Sequence, residues 1–259
     1  METFIQIYVF IIGIIFGSFF NVCIFRIPKG QSVSNPPSHC PTCNTRLKAI
    51  DLIPIISYLI SGRKCRYCNE KISSRYAKVE LLTGILFLLV YNINLVHIKT
   101  IYYLVFISIL IIITFIDIDH YIIPDGLIII GSVFAIVFNL IFKVLTIKES
   151  ILGALICGGG ILLLIYFIEF IVKKEVMGGG DIKLFTMVGL FLGVKNSLLV
   201  ALISVYVGAI FGIGTILFAK IKKQEYNSMI PYGPFISVAS LMVILWADRI
   251  INWYIDLIM

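Results

Sequence analysis

The chain has 259 residues, of which 60% are hydrophobic and only 14% charged, against roughly 25% charged in ordinary soluble chains. Too little polar surface remains to keep a water-soluble body of this size in solution, so a soluble globule, disorder, a coiled coil and a secreted disulfide scaffold are excluded and a membrane protein is expected. The net charge of +7 raises nucleic acid as a partner, which makes the positions of the 21 Lys and Arg decisive.

A helix needs about 20 apolar residues to cross the hydrocarbon core. Such windows recur at approximately 4–25, 77–97, 101–117, 125–142, 150–172, 182–194, 196–219 and 233–257. The first has Glu2 where the basic start of a signal peptide belongs, and its apolar run is too long for one, so it is expected to remain as an anchor. Gly13 and Gly17 within it, like Gly208 and Gly212 in the seventh, have the small-xxx-small spacing of helix-packing faces. Cys23 and Cys157, both inside spans, read as small packing residues.

Between the first two spans lies the one sizeable polar segment, residues 26–76, with five of the eight prolines and four of the six cysteines. Cys40-Pro-Thr-Cys43 is followed after 21 residues by Cys65-Arg-Tyr-Cys68. Each CxxC can form a tight knuckle presenting two thiolates, and two knuckles complete a tetrahedral S4 shell around structural zinc. Asn44 and Asn69 follow the knuckles where the chain needs positive φ, which Asn tolerates better than any residue but Gly. Two disulfides are the rival reading, disfavoured in a reducing cytoplasm. His39, next to Cys40, is an alternative ligand, and His97 and His120 read as interfacial.

The third span ends in Asp117-Ile-Asp119-His-Tyr-Ile-Ile-Pro124-Asp125. Carboxylates at a membrane boundary are expensive unless hydrated, paired or used. Two residues apart on a helix, Asp117 and Asp119 point roughly 200° from each other, so only one can face a given site. Asp125 falls in the first turn of the next span, where a helix dipole favours an anion and a cap is the simplest role. The sixth span opens with Met177-Gly178-Gly179-Gly180-Asp181-Ile-Lys183. Three glycines without side-chain bulk would let an extended substrate strand lie against this segment. That span is short, and Gly193-Val-Lys-Asn196 is expected to turn the chain into the seventh.

Eight spans put both termini on one side of the membrane. Sixteen of the 21 basic residues then fall in the connections from Arg26 to Lys78, Lys173 to Lys183 and Lys220 to Lys223. By the positive-inside rule these are cytoplasmic, the N-terminus is outside, and the charge needs no nucleic acid to explain it. The expected architecture is an all-α polytopic membrane protein with about eight transmembrane helices. Its parts are a first helix at 1–25, a small cytoplasmic zinc domain at 26–76 and a seven-helix core at 77–259.

Asp117 and Asp181 both stand at cytoplasmic ends of spans, which suggests an acid pair facing across a polar cavity. Two carboxyl groups a few ångströms apart cannot both ionise, so one stays protonated and polarises a carbonyl while the other activates water. On spacing alone an ion pathway, as in an ion-coupled transporter or channel, is an equal reading. A transporter with inverted repeats would show matching halves, and the two acidic motifs are dissimilar. Glu80 and Glu169 lie just inside spans, where snorkelling or pairing with nearby cations competes, for Glu80, with a cofactor or cavity role.

Several segments together resemble the type IV prepilin peptidases, bifunctional leader peptidase/N-methyltransferases of the GxGD aspartyl protease class. Gly17-Ser-Phe-Phe-Asn-Val-Cys-Ile-Phe-Arg26-Ile-Pro28 is similar to the family's opening signature. The double CxxC with Ile72-Ser-Ser-Arg-Tyr76 and Glu80 resembles its cytoplasmic domain, and Asp117 to Asp125 its first aspartate motif. Gly178-Gly-Gly-Asp181-Ile-Lys183 resembles GxGDxK, and Ile230-Pro-Tyr-Gly-Pro234 the last motif.

The resemblance implies cleavage of prepilins and pseudopilins at the cytoplasmic face of the cell membrane, after a Gly that ends a short basic leader. It also implies N-methylation of the new N-terminal residue, usually Phe, with S-adenosylmethionine as methyl donor. Carried over by position, Asp117 and Asp181 are the catalytic pair, with Gly178, Gly179, Gly180 and Lys183 supporting the substrate. Gly62 sits near a family glycine linked to methylation, with Lys64 loosening the spacing, and Glu80 is the second residue assigned to that activity.

Overall fold

The computed structural model describes residues 2–95, 97–173, 177–222 and 230–258. Lys174 and Lys223, two of the charges used to orient the spans, lie outside the described residues. Among the described residues the regular structure is helical, with two isolated bridges, His39 with Arg46 and Lys64 with Lys71. The chain divides into two compact units, Met1–Thr100 and Ile101–Met259.

In the first unit α1 (Glu2–Arg26) packs along α3 (Ser74–Asn94), and α2 (Ile56–Ile60) is a short helix in the segment between them. The hydropathy windows group 77–97 with the later spans, whereas the helix there packs on α1 inside this unit. The small residues of α1 explain how. A Cβ on Gly13 would stand 2.8 Å from Gly84 Cα, and one on Gly17 would stand 2.7 Å from Glu80 Cα. Two helices of a bilayer associate through such close backbone contact because lipid supplies no hydrophobic drive between them. Asn21 adds a donor to the Tyr76 carbonyl at 3.1 Å. The expectation of a packing face at Gly13 and Gly17 holds.

The second unit comprises α4 (Ile98–His120, from residue 101 onward), α5 (Asp125–Phe142), α6 (Ile147–Ala154), α7 (Gly160–Val172), α8 (Gly179–Lys222) and α9 (Gly233–Ile258). A π-helical turn, Leu155–Gly159, joins α6 to α7, so that the two form one span. Its Gly158 lies against Thr186, and Gly153 lies against Gly189, with no room for a Cβ at either glycine. Tyr102, Phe106, Phe134, Phe138 and Phe191 stack in the interior, ring centroids 4.3 to 6.3 Å apart. Buried Asn139 donates to the Tyr102 hydroxyl at 2.9 Å and Ser150 to the Leu190 carbonyl at 2.7 Å, so the polar groups among these rings are satisfied.

Seven described helical stretches are long and apolar enough to cross a membrane. The 44 residues of α8 are two spans, because Gly193, at φ 72° and ψ −178°, breaks the helix. Unbroken, it would run about 66 Å, roughly twice the hydrocarbon thickness. That φ is one that L side chains rarely adopt, which is why glycine stands there. The eight-helix expectation and the turn at Gly193 are both met. Outward-facing Leu163, Phe170, Ile210 and Ile221 suit a lipid-facing surface. The chain is a multi-pass membrane protein.

Candidate active site

Asp117 lies in the last turns of α4, buried at 5% exposure, while Asp119 on the same helix is exposed. The period of the helix separates them, as the sequence predicts. An anion near a helix C-terminus meets the negative pole of the dipole. Asp117 meets the opposite pole as well: Gly233, the first residue of α9, donates its backbone N–H to Asp117 Oδ2 at 2.8 Å. A Cβ on Gly233 would fall 2.8 Å from that same oxygen, so the approach requires glycine. The sequence shows Ile230-Pro-Tyr-Gly-Pro234 as a motif, but nothing in it points to Asp117 as the partner of Gly233.

Asp181 enters from the other side, in the first turn of α8, where the dipole favours an anion. Its N–H donates to the Gly178 carbonyl at 3.1 Å, and a Cβ on Gly178 would come within 3.4 Å of Asp181 Oδ2. The two carboxylates lie within electrostatic reach of each other, and Tyr232 within reach of Asp181. The Tyr232 hydroxyl is 3.1 Å from Ser204 Oγ, and its ring meets Phe185 and Phe235. The structure thus brings Asp117 and Asp181 together and leaves Asp119 outside.

Gly179 and Gly180 are already helical, so what they present is first-turn N–H groups, and only Gly178 precedes the helix. Gly180 faces Ile123, while a Cβ on Gly179 would meet nothing within 4 Å. Lys183 turns away from the acids to pair with Asp125, Nζ to Oδ1 2.7 Å. Asp125, the first residue of α5, makes no capping hydrogen bond, since Pro124 holds the N-cap position; its carboxylate ties the start of α5 to the start of α8.

In the first unit the four cysteine sulfurs all lie within 4.8 Å of one another, with Cys40 Sγ 3.9 Å from Cys68 Sγ. A tetrahedron with Zn–S bonds of about 2.3 Å has edges of roughly 3.8 Å, so the donor set fits the metal. The knuckles are built alike. Asn44 at φ 54° and Asn69 at φ 59° return their N–H groups to the Cys40 and Cys65 carbonyls at 2.9 Å each. Hydrogen bonds with Thr45 pull the Cys43 thiol down to about 6, and the backbone N–H groups of Tyr67 and Cys68 hold Cys65 below its ordinary value. Cys68, although bonded to the Glu70 backbone, is pushed up to about 12 by partial burial and its neighbouring cysteines. Crowded thiols cannot all ionise unaided, and a bound dication would supply the missing charge.

Beside this cluster is a cavity of about 920 Å³, lined by the cysteine-bearing segment and the ends of α1 and α3. Glu80 is part of its wall. Gly62 does not line it: it is exposed, at φ 63° just after α2, a conformation that favours glycine.

Residues 11–93 match the Bacterial Peptidase A24 N-terminal domain, and residues 104–213 the Type IV leader peptidase family. The chain is 35% identical over 251 residues to the prepilin leader peptidase/N-methyltransferase of Bacillus subtilis (strain 168), covering 96% of this chain and 97% of that protein. It is 32% identical over 277 residues to the protein of the same name from Aeromonas salmonicida (strain A449), covering 97% and 94%. Against that of Legionella pneumophila the identity is 33% over 266 residues, covering 92% and 90%. No solved structure matches. Since both halves match in order and the likeness to these relatives runs nearly end to end, the chain belongs to the type IV leader peptidase family.

Proposed function

We propose that the protein is a membrane-embedded aspartyl endopeptidase that removes the basic leader from type IV prepilins and pilin-like proteins and then N-methylates the new N-terminal residue. The observation that carries this is the buried Asp117, held by the Gly233 N–H and within reach of Asp181, in a chain whose full-length relatives are named for both activities. Nothing among the described residues or the relatives supports an ion-coupled transporter.

Asp117 and Asp181 are the catalytic pair. One carboxyl, protonated, polarises the scissile carbonyl while the other takes a proton from water, whose oxygen attacks the carbonyl carbon. The C–N bond then breaks and the leaving amine takes up a proton, so no covalent intermediate forms. The Gly233 amide fixes one oxygen of Asp117 and leaves the other for water or substrate. Gly178 lets substrate backbone approach Asp181, and Lys183 acts through Asp125 by setting the start of α8.

The first unit carries the methyl transfer, with S-adenosylmethionine as donor and the 920 Å³ cavity as its place. The amine gains the methyl and gives up one proton to solvent, and the sulfonium leaves as a neutral thioether. Cys40, Cys43, Cys65 and Cys68 hold one zinc in a closed shell that is structural, since it keeps no open position for substrate. The basic connections lie on the cytoplasmic side of the cell membrane with the N-terminus outside. Incubating the purified protein with a prepilin-type peptide, with and without S-adenosylmethionine, tests both activities. Leader loss in both samples and an added methyl only with the donor are expected; an intact peptide in both would reject the reading.

A further inference from the structure

Glu80 is buried at 7% exposure, at the boundary of a membrane-spanning helix, and lines the cavity of the first unit. A carboxylate in such a place demands a charged or hydrogen-bonding partner. Its contacts are the Ile55 N–H, which donates to Oε2 at 2.7 Å, and the Ser18 side chain. No cation pairs with it among the described residues. Of the cations that line the wall, Arg66 pairs with Asp51 at 3.2 Å, Arg26 donates to the Ser32 carbonyl at 3.0 Å and Lys29 lies over the Phe25 ring at 3.4 Å; Lys64 and Lys71 also line it, and neither is paired with Glu80.

The backbone that reaches Glu80 is itself unusual. Ile55 is a β-branched residue at φ 59° and ψ −50°, a conformation such residues rarely adopt. Strain of this kind persists only where the surroundings over-determine it, and it clusters at functional sites. Here it aims an N–H at Glu80 Oε2; together with the Ser18 contact this uses two of the roughly four acceptor sites of a carboxylate and leaves the others for a ligand.

We propose that Glu80 is the seat for the α-ammonium group of a peptide N-terminus. This rests on the methyl-transfer reading for what becomes of the amine, but the seat is argued from geometry alone. A sulfonium carries positive charge and no N–H, so it cannot satisfy the remaining lone pairs of a buried carboxylate; the methionine ammonium of S-adenosylmethionine has the same donors as a peptide N-terminus, and peptide binding compared without the methyl donor tells the two apart. A primary ammonium brings three donors in a compact head. Leu52, Tyr58 and Ile72 in the same wall offer apolar surface for the first side chain of the peptide.

The test is binding of a hexapeptide with a free N-terminal Phe, against its N-acetylated form, to the full-length protein in detergent. Both are measured on an Asp117→Asn/Asp181→Asn background, which removes the other acidic site. Acetylation should weaken binding by about tenfold or more, the cost of leaving a buried charge without its partner. Glu80→Gln in that background should weaken the free-amine peptide equally, with zinc content and unfolding midpoint unchanged. Binding of the acetylated peptide within about twofold of the free amine overturns the seat, even if Glu80→Gln fails to fold. Glu80-dependent binding in a protein that transfers no methyl supports the seat and rejects the methyl-transfer reading instead.

Discussion

The backbone N–H of Gly233 reaches Asp117 Oδ2 at 2.8 Å across 116 residues of sequence, joining the start of α9 to the end of α4. The contact sets where an oxygen of the proposed catalytic pair sits, and a side chain at position 233 would compete for that space. Gly233→Ala should therefore lower the turnover of leader cleavage by about a hundredfold, the usual effect of a displacement near 1 Å. Methylation of a pre-cleaved peptide, which we propose to take place in the other unit, should persist. Separate assays of the two reactions check this, and equal loss of both would mean that the substitution only unfolds the protein.

Asp119→Asn should leave cleavage within about threefold of wild type, because helical periodicity turns this residue away from Asp117. Steady-state kinetics on one peptide suffices. Loss of activity comparable to an Asp117 substitution would move the site.

Metal analysis of protein purified without chelator should give about one zinc per chain. Cys40→Ser or Cys65→Ser should lower the zinc content and the protease resistance of the 26–76 segment. A structural metal, as proposed, makes prolonged chelation act through unfolding of that segment and not as immediate inhibition.

Lys183 and Asp125 form an exposed pair, worth about 1 kcal/mol or less to stability. Lys183→Met and Asp125→Asn should each slow cleavage several-fold, and the double variant should be no worse than either single one. Additive losses in this cycle would mean that Lys183 acts on the substrate and not through Asp125.

In the substrate, a glycine before the scissile bond lowers the cost of unwinding by about 1 kcal/mol relative to Ala and lets the chain approach Gly178. Its replacement by Leu or Val should prevent cleavage without affecting membrane insertion, and methylation should then be lost as well, since no free amine is released. Equal processing of the Leu substrate would contradict the close-approach role of Gly178.

Much of this site is legible in the sequence because its signals are local. Apolar windows mark the spans, the CxxC pairs and their asparagines mark the knuckles, and a two-residue spacing separates Asp117 from Asp119. What the sequence did not supply are contacts between distant segments. Gly233 with Asp117, Lys183 with Asp125 and Ile55 with Glu80 each join residues whose own neighbourhoods carry no trace of the partner. Local glycine content was also ambiguous: the run at Gly178–Gly180 reads as an extended strand support, yet two of its three residues begin a helix, because the first-turn N–H groups need no partner within it. The helix at Ser74–Asn94 shows the same limit, since hydropathy finds a span but not the helix it packs against.

The central claim is that Asp117 and Asp181 act as one catalytic unit. Mass spectrometry of a prepilin-type peptide incubated with wild type, Asp117→Asn and Asp181→Asn tests it most directly. Wild type should remove the leader, and each single variant should lose at least about a hundredfold in rate, with zinc content unchanged in all three. Cleavage at the wild-type rate by either variant would contradict it.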